Sequence, residues 1–286
     1  MVRAIHRRSS TADLDPPDAE TWSLADIPFD RIDTNTIRAD EHWFELLAAA
    51  SFVEITSDLY TRNLVAFFDG DDEIVGWLER RWEREEVQHG MALRLYVETA
   101  WPDFDWEGAY RRFFAEYSRL CAVDLLAPSR ALEMAARCVV ETGTASFYRM
   151  ISDAAPEPVL RDLARRIADD EVRHYKYFLR FFRRWRAREK PGRLAVMRTI
   201  VARAAEIDAA DAAIAFKHVH LARHPASAFR KADYRAFRRR TEAMARRFLP
   251  RAMAAKMLLK PLDLGPTLMR ALPPATAAAA RLLLRG

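Results

Sequence analysis

Glu86-Val87-Gln88-His89 and Glu171-Val172-Arg173-His174 are two copies of one pattern, and each interrupts an otherwise apolar helical stripe. Apolar residues recurring at three and four positions mark a helix face turned to a core. The first stripe runs Val75, Leu78, Trp82, Glu86, His89, Leu93, Tyr96, and the second runs Ile167, Glu171, His174, Phe178. Residues i and i+3 share a helix face, so each Glu-x-x-His aims a carboxylate and an imidazole at one point inside the fold. Two further stripes carry one acid each. Phe44, Leu47, Ser51, Glu54, Asp58, Thr61 precede the first motif, and Met134, Cys138, Glu141, Thr144, Tyr148 precede the second. The order is therefore Glu, Glu-x-x-His, Glu, Glu-x-x-His on four successive long helices.

Burying four carboxylates together is prohibitive unless cations neutralise them. Two divalent metals do so, each taking one histidine, which makes Glu54, Glu86, His89, Glu141, Glu171 and His174 the candidate ligands. Glu54 is preferred over Asp58 and Glu45 because Phe52, Val53 and Ile55 surround it. Oxygen and nitrogen donors in this mix suit two iron ions, with iron–manganese and manganese–manganese as alternatives. The two cysteines, Cys121 and Cys138, are too far apart in sequence for a thiolate zinc or iron–sulfur motif. A lone Glu-x-x-His in a charged helix is commonly a solvated pair. Two of them, each preceded by an acid on an apolar stripe, are not explained that way.

The periodicity predicts helices over about 40–68, 72–99, 106–120, 128–152, 158–187, 192–222 and 227–248. Only 8 of 286 residues are Gly, which favours helices over strands and turns. Three parts are expected: an irregular N-terminal arm over 1–38, broken by Asp15-Pro16-Pro17-Asp18, a helical domain over 39–250, and an apolar, basic tail over 251–286 with prolines at 261, 266, 273 and 274. The fold class is all-α. No apolar run is long enough to span a bilayer, no secretory signal opens the chain, and two cysteines make no disulfide framework. A cytoplasmic protein is the expectation.

The motifs resemble those of the soluble acyl-carrier-protein desaturases, within the ferritin-like di-iron carboxylate superfamily. Glu85-Glu86-Val87-Gln88-His89-Gly90 is similar to their Glu-Glu-x-x-His-Gly segment, and Asp170-Glu171-Val172-Arg173-His174 to their Asp-Glu-x-x-His. Glu141 with Thr144 three residues later resembles their third ligand helix. The likeness covers about 45–185. It implies a ferritin-like four-helix bundle with additional C-terminal helices around a di-metal core. It also implies that Glu85 and Asp170, with Arg173 beside them, orient the ligating histidines, and that Thr144 assists oxygen activation or proton delivery. The competing reading of Thr144 is a hydroxyl bonded back to its own helix.

The resemblance makes an O2-activating oxidoreductase, desaturase- or hydroxylase-like, the first functional expectation. Its substrate would be an acyl chain on an acidic carrier protein, which suits the net charge of +5. An external electron donor is required, because the chain carries no redox-cofactor motif, and a homodimer is the expected assembly. Iron oxidation or peroxide removal in the manner of ferritins and rubrerythrins is one alternative, and a tRNA-modifying di-iron hydroxylase is another. The Arg-rich stretches 180–188 and 238–247 would suit RNA or an acidic carrier alike, with nucleic acid the lesser expectation. His218 and His220 point apart on a helix, and His220 with His224 has no carboxylate near it in sequence, so neither pair reads as a second metal site.

Overall fold

The computed structural model describes residues 22–119, 126–206 and 211–265. Among these residues the secondary structure is helical, with no strand. A short helix α1 (Thr34–Arg38) leads into α2 (Glu41–Ile55), which starts where Asp40 accepts a hydrogen bond from the His42 N–H at 3.0 Å. Phe44, Leu47, Ser51 and Glu54 of the expected stripe are buried.

The helix expected over 40–68 is interrupted at Thr56. Its hydroxyl donates to the carbonyls of Phe52 at 3.0 Å and Val53 at 2.7 Å, and the backbone leaves helical geometry before α3 (Ser57–Phe67) resumes. A hydroxyl that competes for its own helix's carbonyls bends or breaks the helix.

The second long helix starts at Asp71, whose carboxylate accepts from the Ile74 N–H at 3.4 Å. It comprises α4 (Asp72–Trp77), a π-helical turn (Leu78–Trp82) and α5 (Glu83–Ala100). Asp105 caps α6 (Trp106–Tyr117). Ser129 caps α7 (Arg130–Ala154) through the Leu132 N–H, and Glu157 caps α8 (Pro158–Glu189), which has proline at its first position. Lys190, at φ 51°, ends α8 in a left-handed conformation. The helix expected over 192–222 is two elements, α9 (Arg193–Glu206) and α10 (Asp211–Arg223), followed by α11 (Lys231–Phe248) and α12 (Arg251–Leu259).

Residues 155–157 turn α7 back on α8, and the two pack along most of their length, while α2 packs on α5 and α5 meets α8. α10 lies over α2 and α6, and α9 and α12 lie on α7. One apolar cluster gathers Phe44, Phe52, Tyr96, Trp106 and Phe113, and a second gathers Trp77, Trp82, Phe178, Phe181 and Phe182. Each large side chain so buried contributes about 1.5–3 kcal/mol. Gly90 brings α5 against the end of α2: a Cβ there would lie 2.5 Å from the Ile55 nitrogen.

The chain's two ends, an arm expected to be irregular and an apolar, basic tail, both contain helical turns where they are described. The described part of the arm forms short helical turns at Leu24–Asp26 and Phe29–Arg31, and it buries Trp22, Ile27 and Ile37. The tail runs as α12 and a turn over Lys260–Leu262, while residues 266–286 lie outside the described residues. No described helix is long and apolar enough to cross a membrane.

Candidate metal centre

Each of the four ligand-bearing helices has an independent reason to face inward. Glu54 sits one turn beyond buried Ser51 and beside buried Phe52 on α2, and Glu141 follows buried Cys138 on α7. Glu86 and His89 lie between Trp82 and Leu93 on the second long helix, and Glu171 and His174 lie between Ile167 and Phe178 on α8. The structure brings all six together in two overlapping groups. One is Glu54, Glu86, His89 and Glu171, and the other is Glu86, Glu141, Glu171 and His174. Within each, one donor atom per residue lies within 4.8 Å of the donors of the rest. Glu86 and Glu171 belong to both groups.

The histidines are oriented alike. His89 turns Nε2 outward to Asp170 Oδ2 at 3.0 Å and Nδ1 inward, 3.3 Å from Glu171 Oε1. His174 turns Nε2 outward to Glu85 Oε2 at 2.7 Å, and its Nδ1 lies 3.0 Å from Glu86 Oε1 and 3.5 Å from Glu141 Oε2. Arg173 joins the two outer carboxylates, with one guanidinium nitrogen 2.7 Å from Asp170 Oδ1 and 3.1 Å from Glu85 Oε1. Arg81 Nε also donates to Glu85 at 3.3 Å. Glu85 and Asp170 thus each stand behind one imidazole, with Arg173 between them, and a carboxylate behind an imidazole fixes its tautomer and direction.

The inner atoms face one another but are left without hydrogen bonds. Glu86 Oε1, His89 Nδ1, Glu141 Oε2, Glu171 Oε1 and His174 Nδ1 are all buried, and none makes a hydrogen bond of acceptable geometry within the protein. Buried polar atoms are almost always paired, and leaving one unpaired costs about 1–3 kcal/mol. Five such atoms, one on each of five candidate ligands and turned toward one another, fit a cation-binding cage.

Charge in the cage is strongly perturbed. Burial pushes the carboxyls of Glu54 and Glu86 above the ordinary range, with the Glu171 charge adding to it. Burial and Glu171 likewise raise Glu141 to about 8, against the pull of His174. Burial opposes a charge on His89, but its hydrogen bond to Asp170 and its close contact with the Glu171 carboxylate outweigh that and raise it to about 10. His174 is raised well above its usual value, because contacts with Glu141, Glu171, Glu85 and Glu86 likewise outweigh burial. Glu171 is held low: burial works against its charge, but both histidines stabilise it more. Protons thus hold positions that cations would otherwise fill, and metal binding would displace them.

Thr144 is half-buried, and its hydroxyl lies 2.7 Å from Glu171 Oε2. Its distances to its own helix carbonyls are longer, 3.3 and 3.4 Å. It contacts a candidate ligand directly. Glu45 lies instead beside His42, at 3.7 Å, and Asp58 pairs with Arg62 at 2.7 Å, which leaves Glu54 as the acid that α2 and α3 contribute.

Two participants were not singled out from the sequence. Trp22 donates its indole N–H to Asp170 Oδ2 at 2.8 Å and stacks on His89 with 6.1 Å between ring centroids. Nothing in the arm's pattern marks this residue, whose partner is 148 positions away. Tyr148, expected as core filling, donates its hydroxyl to Glu54. Its place on the α7 stripe, seven residues after Glu141, was the available signal. The His218 and His220 neighbourhood also differs from its sequence surroundings. Glu116 lies 2.8 Å from His218 Nε2, and Asp233 lies 3.7 Å from His220 Nε2. Neither histidine belongs to a group of three candidate ligands among the described residues. Cys138 is a buried free thiol, and Cys121 lies outside the described residues.

Comparison of the chain with protein-family models, with curated proteins and with solved structures gives no match.

Proposed function

We propose that this chain is a ferritin-like helical bundle that holds two metal ions, iron in the first place, and uses them to activate O2 for the oxidation of an organic substrate. The observation that carries the proposal is the set of five buried donor atoms without hydrogen bonds, turned toward one another between four helices. Two histidines and four carboxylates suit iron or manganese better than softer ions. Bound metals of this kind supply the redox electrons and electrophilic oxygen that side chains lack.

The chain's own residues have separable roles in this reading. Glu86 and Glu171 would hold both ions, Glu54 and His89 one, and Glu141 and His174 the other. Asp170 and Glu85 keep the histidine Nδ1 atoms aimed inward. The Thr144 hydroxyl, on the half-buried side of α7, is placed to hold or pass a proton at Glu171 Oε2. Reducing equivalents would come from a separate donor protein.

The Arg-rich stretches supply little to an RNA-binding reading. Arg180 and Arg184 pair with Glu73 and Asp71, Arg238 pairs with Glu242, and Arg240 pairs with Asp40. A substrate reading follows from the cleft lined by Asp58, Thr61, Arg62, Val65, Ala66, Glu79 and Glu83, with a volume of about 500 Å³. Glu83 is three residues before Glu86 on the second long helix, and Asp58 lies on α3, just past the break that follows Glu54. An acyl chain on a carrier protein requires an apolar channel, and this cleft has the acids Asp58, Glu79 and Glu83 and the base Arg62 in its lining. The three acids favour a second reading in which small polar species, ferrous ions or peroxide, are what the centre oxidises or reduces.

Metal analysis of protein produced in iron-rich medium tests the proposal, with wild type and Glu141→Ala side by side. About two irons per chain are expected in the wild type, the load of a di-metal bundle, with a clear loss in the variant. No stoichiometric metal in either would end the proposal. Aerobic addition of ferrous ion then separates the two readings. Iron oxidised in excess of the bound pair and released as ferric ion supports metal handling, and oxidation limited to the bound pair supports an organic substrate.

A further inference from the structure

Trp77, the last residue of α4, packs across α8. Its indole meets the His174 ring edge-on with 6.2 Å between centroids, and it stacks on Tyr177 at 5.0 Å with 24° between the planes. It also meets Phe178 and Phe181 edge-on. These four residues of α8 stand at i, i+3, i+4 and i+7, so one helix face carries them all. Trp77 is buried, whereas Tyr177 is half-buried beside Arg81 and Arg180, whose guanidinium carbons lie 5.7 and 5.2 Å from its ring centre. A line of rings thus leads from a candidate ligand, through one indole, to a phenol near the surface.

Ring packing accounts for the stacking but not for the indole N–H. Trp77 Nε1 is buried and has no hydrogen-bond partner among the described residues, an arrangement uncommon enough to require a reason. Its consequence is chemical. An indole that loses an electron becomes strongly acidic at N–H, and beside an acceptor it sheds the proton and settles as a neutral radical. Trp22 has such an acceptor in Asp170 Oδ2, at 2.8 Å. Trp77 does not, so an oxidised Trp77 keeps its proton, remains a strong oxidant and draws an electron from the nearest oxidisable ring. Phe178 and Phe181 are phenyl rings, far harder to oxidise than a phenol, which leaves Tyr177. Trp82 also buries an unpaired N–H, but its ring meets Phe178, where a path of this kind ends.

We propose that Trp77 and Tyr177 form an electron relay between the metal centre and the surface of α8. The relay rests on the O2-activating reading above: a centre that oxidises an organic substrate is also able to oxidise an indole when no substrate is bound. Trp77 then gives one electron to the oxidised metal pair across its contact with His174 and takes one from Tyr177. The Tyr177 phenol releases its proton to solvent and is left as a phenoxyl radical. In balance, one phenol O–H bond breaks, one proton is released and the metal pair is reduced by one electron. A hydrogen-atom donor in solution, such as a thiol, restores Tyr177, so the relay discharges the centre without damage to its ligands.

The test exposes protein loaded with ferrous ion to O2, without organic substrate and with catalase present to remove free peroxide. Wild type, Trp77→Phe and Tyr177→Phe are compared. Bound and oxidised iron is measured in each, radicals by electron paramagnetic resonance of rapidly frozen samples, and modified residues by peptide mass mapping. The wild type is expected to give a phenoxyl signal and oxidised Tyr177. Both are expected to vanish in Trp77→Phe, which keeps its iron. In Tyr177→Phe the chain stops one ring short, so oxidation is expected on the Trp77 indole instead. Tyr177 is half-buried, so this variant leaves the core filled and decides the matter if Trp77→Phe fails to fold. Iron oxidised in the wild type with Tyr177 left intact overturns the relay and leaves the O2-activating reading standing. Oxidation of Tyr177 that persists in Trp77→Phe overturns the relay too, as does Tyr177→Phe with an unmodified Trp77. No iron uptake by the wild type ends both.

Discussion

Two of the places where this molecule buries carboxylates are built in opposite ways. Glu157 is fully buried at the start of α8. One of its oxygens accepts from the Val159 N–H at 3.0 Å, and the other accepts from the Leu160 N–H and the Tyr96 hydroxyl, both at 2.8 Å. Each oxygen of Glu157 therefore has a donor. In the candidate centre, Glu86, Glu141 and Glu171 each keep a buried oxygen with no hydrogen-bond partner. Burial alone therefore does not mark a functional acid. A satisfied acid holds helices together, whereas a cluster of unsatisfied acids facing imidazole nitrogens is destabilising until a cation joins it.

The comparison breaks first, and most severely, at the shared ligands. Glu171→Ala removes a donor common to both groups and is expected to abolish binding of both ions, whereas Glu54→Ala is expected to cost about one of the two. Metal analysis and titration calorimetry measure the difference, and equal losses would contradict the bridging position of Glu171. Next comes Glu157→Ala, which strands the Val159 and Leu160 N–H groups and the Tyr96 hydroxyl, besides the longer contact of the Asp33 N–H at 3.5 Å. At about 1 kcal/mol each, the loss is about 3 kcal/mol of stability, a drop on the order of 6–12 °C in Tm. Metal content should not change. A fall in metal content of the folded variant would erase the distinction between the two sites.

The pH dependence sharpens the same contrast. His89 is held at about 10 in the folded protein, against 6.5 for an ordinary histidine. Its contribution to stability is complete below about pH 6.5 and disappears as pH rises toward 10. Glu141 is raised from 4.5 to about 8, so its contribution is present below about pH 4.5 and gone above 8. Both act in one direction. Thermal melts of the metal-free protein should fall by several degrees between about pH 7 and 10, and metal-loaded protein should be flatter because bound cations replace the displaced protons. Parallel curves for the two forms would count against the cage.

Smaller effects are expected around the cage. Asp170→Asn removes the charge behind His89 and should weaken metal binding about 10–100-fold. Trp22→Phe, which removes one hydrogen bond to Asp170, should weaken it by less than about tenfold, about the worth of a single hydrogen bond. Thr144→Val is the mildest. Both ions should remain, with a change within about 1 kcal/mol in metal affinity, read by the same titration.

Local spacing made the inner parts of the fold and the cage readable from sequence. The four inward stripes and their six donors lie on helices whose periodicity is set by neighbours three and four positions away, so Glu86 with His89 and Glu171 with His174 could be paired directly. The break at Thr56 was not readable, because a hydroxyl that bonds its own helix leaves the apolar stripe intact. Nor was the contact of Trp22 with Asp170, which depends on how the arm folds back across the bundle. Asp233 beside His220 and Glu116 beside His218 are also products of tertiary packing, since helices distant in sequence bring them together.

Gly90 sits one residue after His89, where a methyl group would collide with the backbone of Ile55, itself one residue after Glu54. The closest approach of the two helices is thus set immediately beside two opposed donors. A glycine hydrogen acts there as the gauge of the cage. Any larger side chain would spread the pair and widen the gap that a cation must bridge. The ionic radius the centre accepts, and hence its choice among divalent metals of similar chemistry, would then depend on a residue that offers no donor atom.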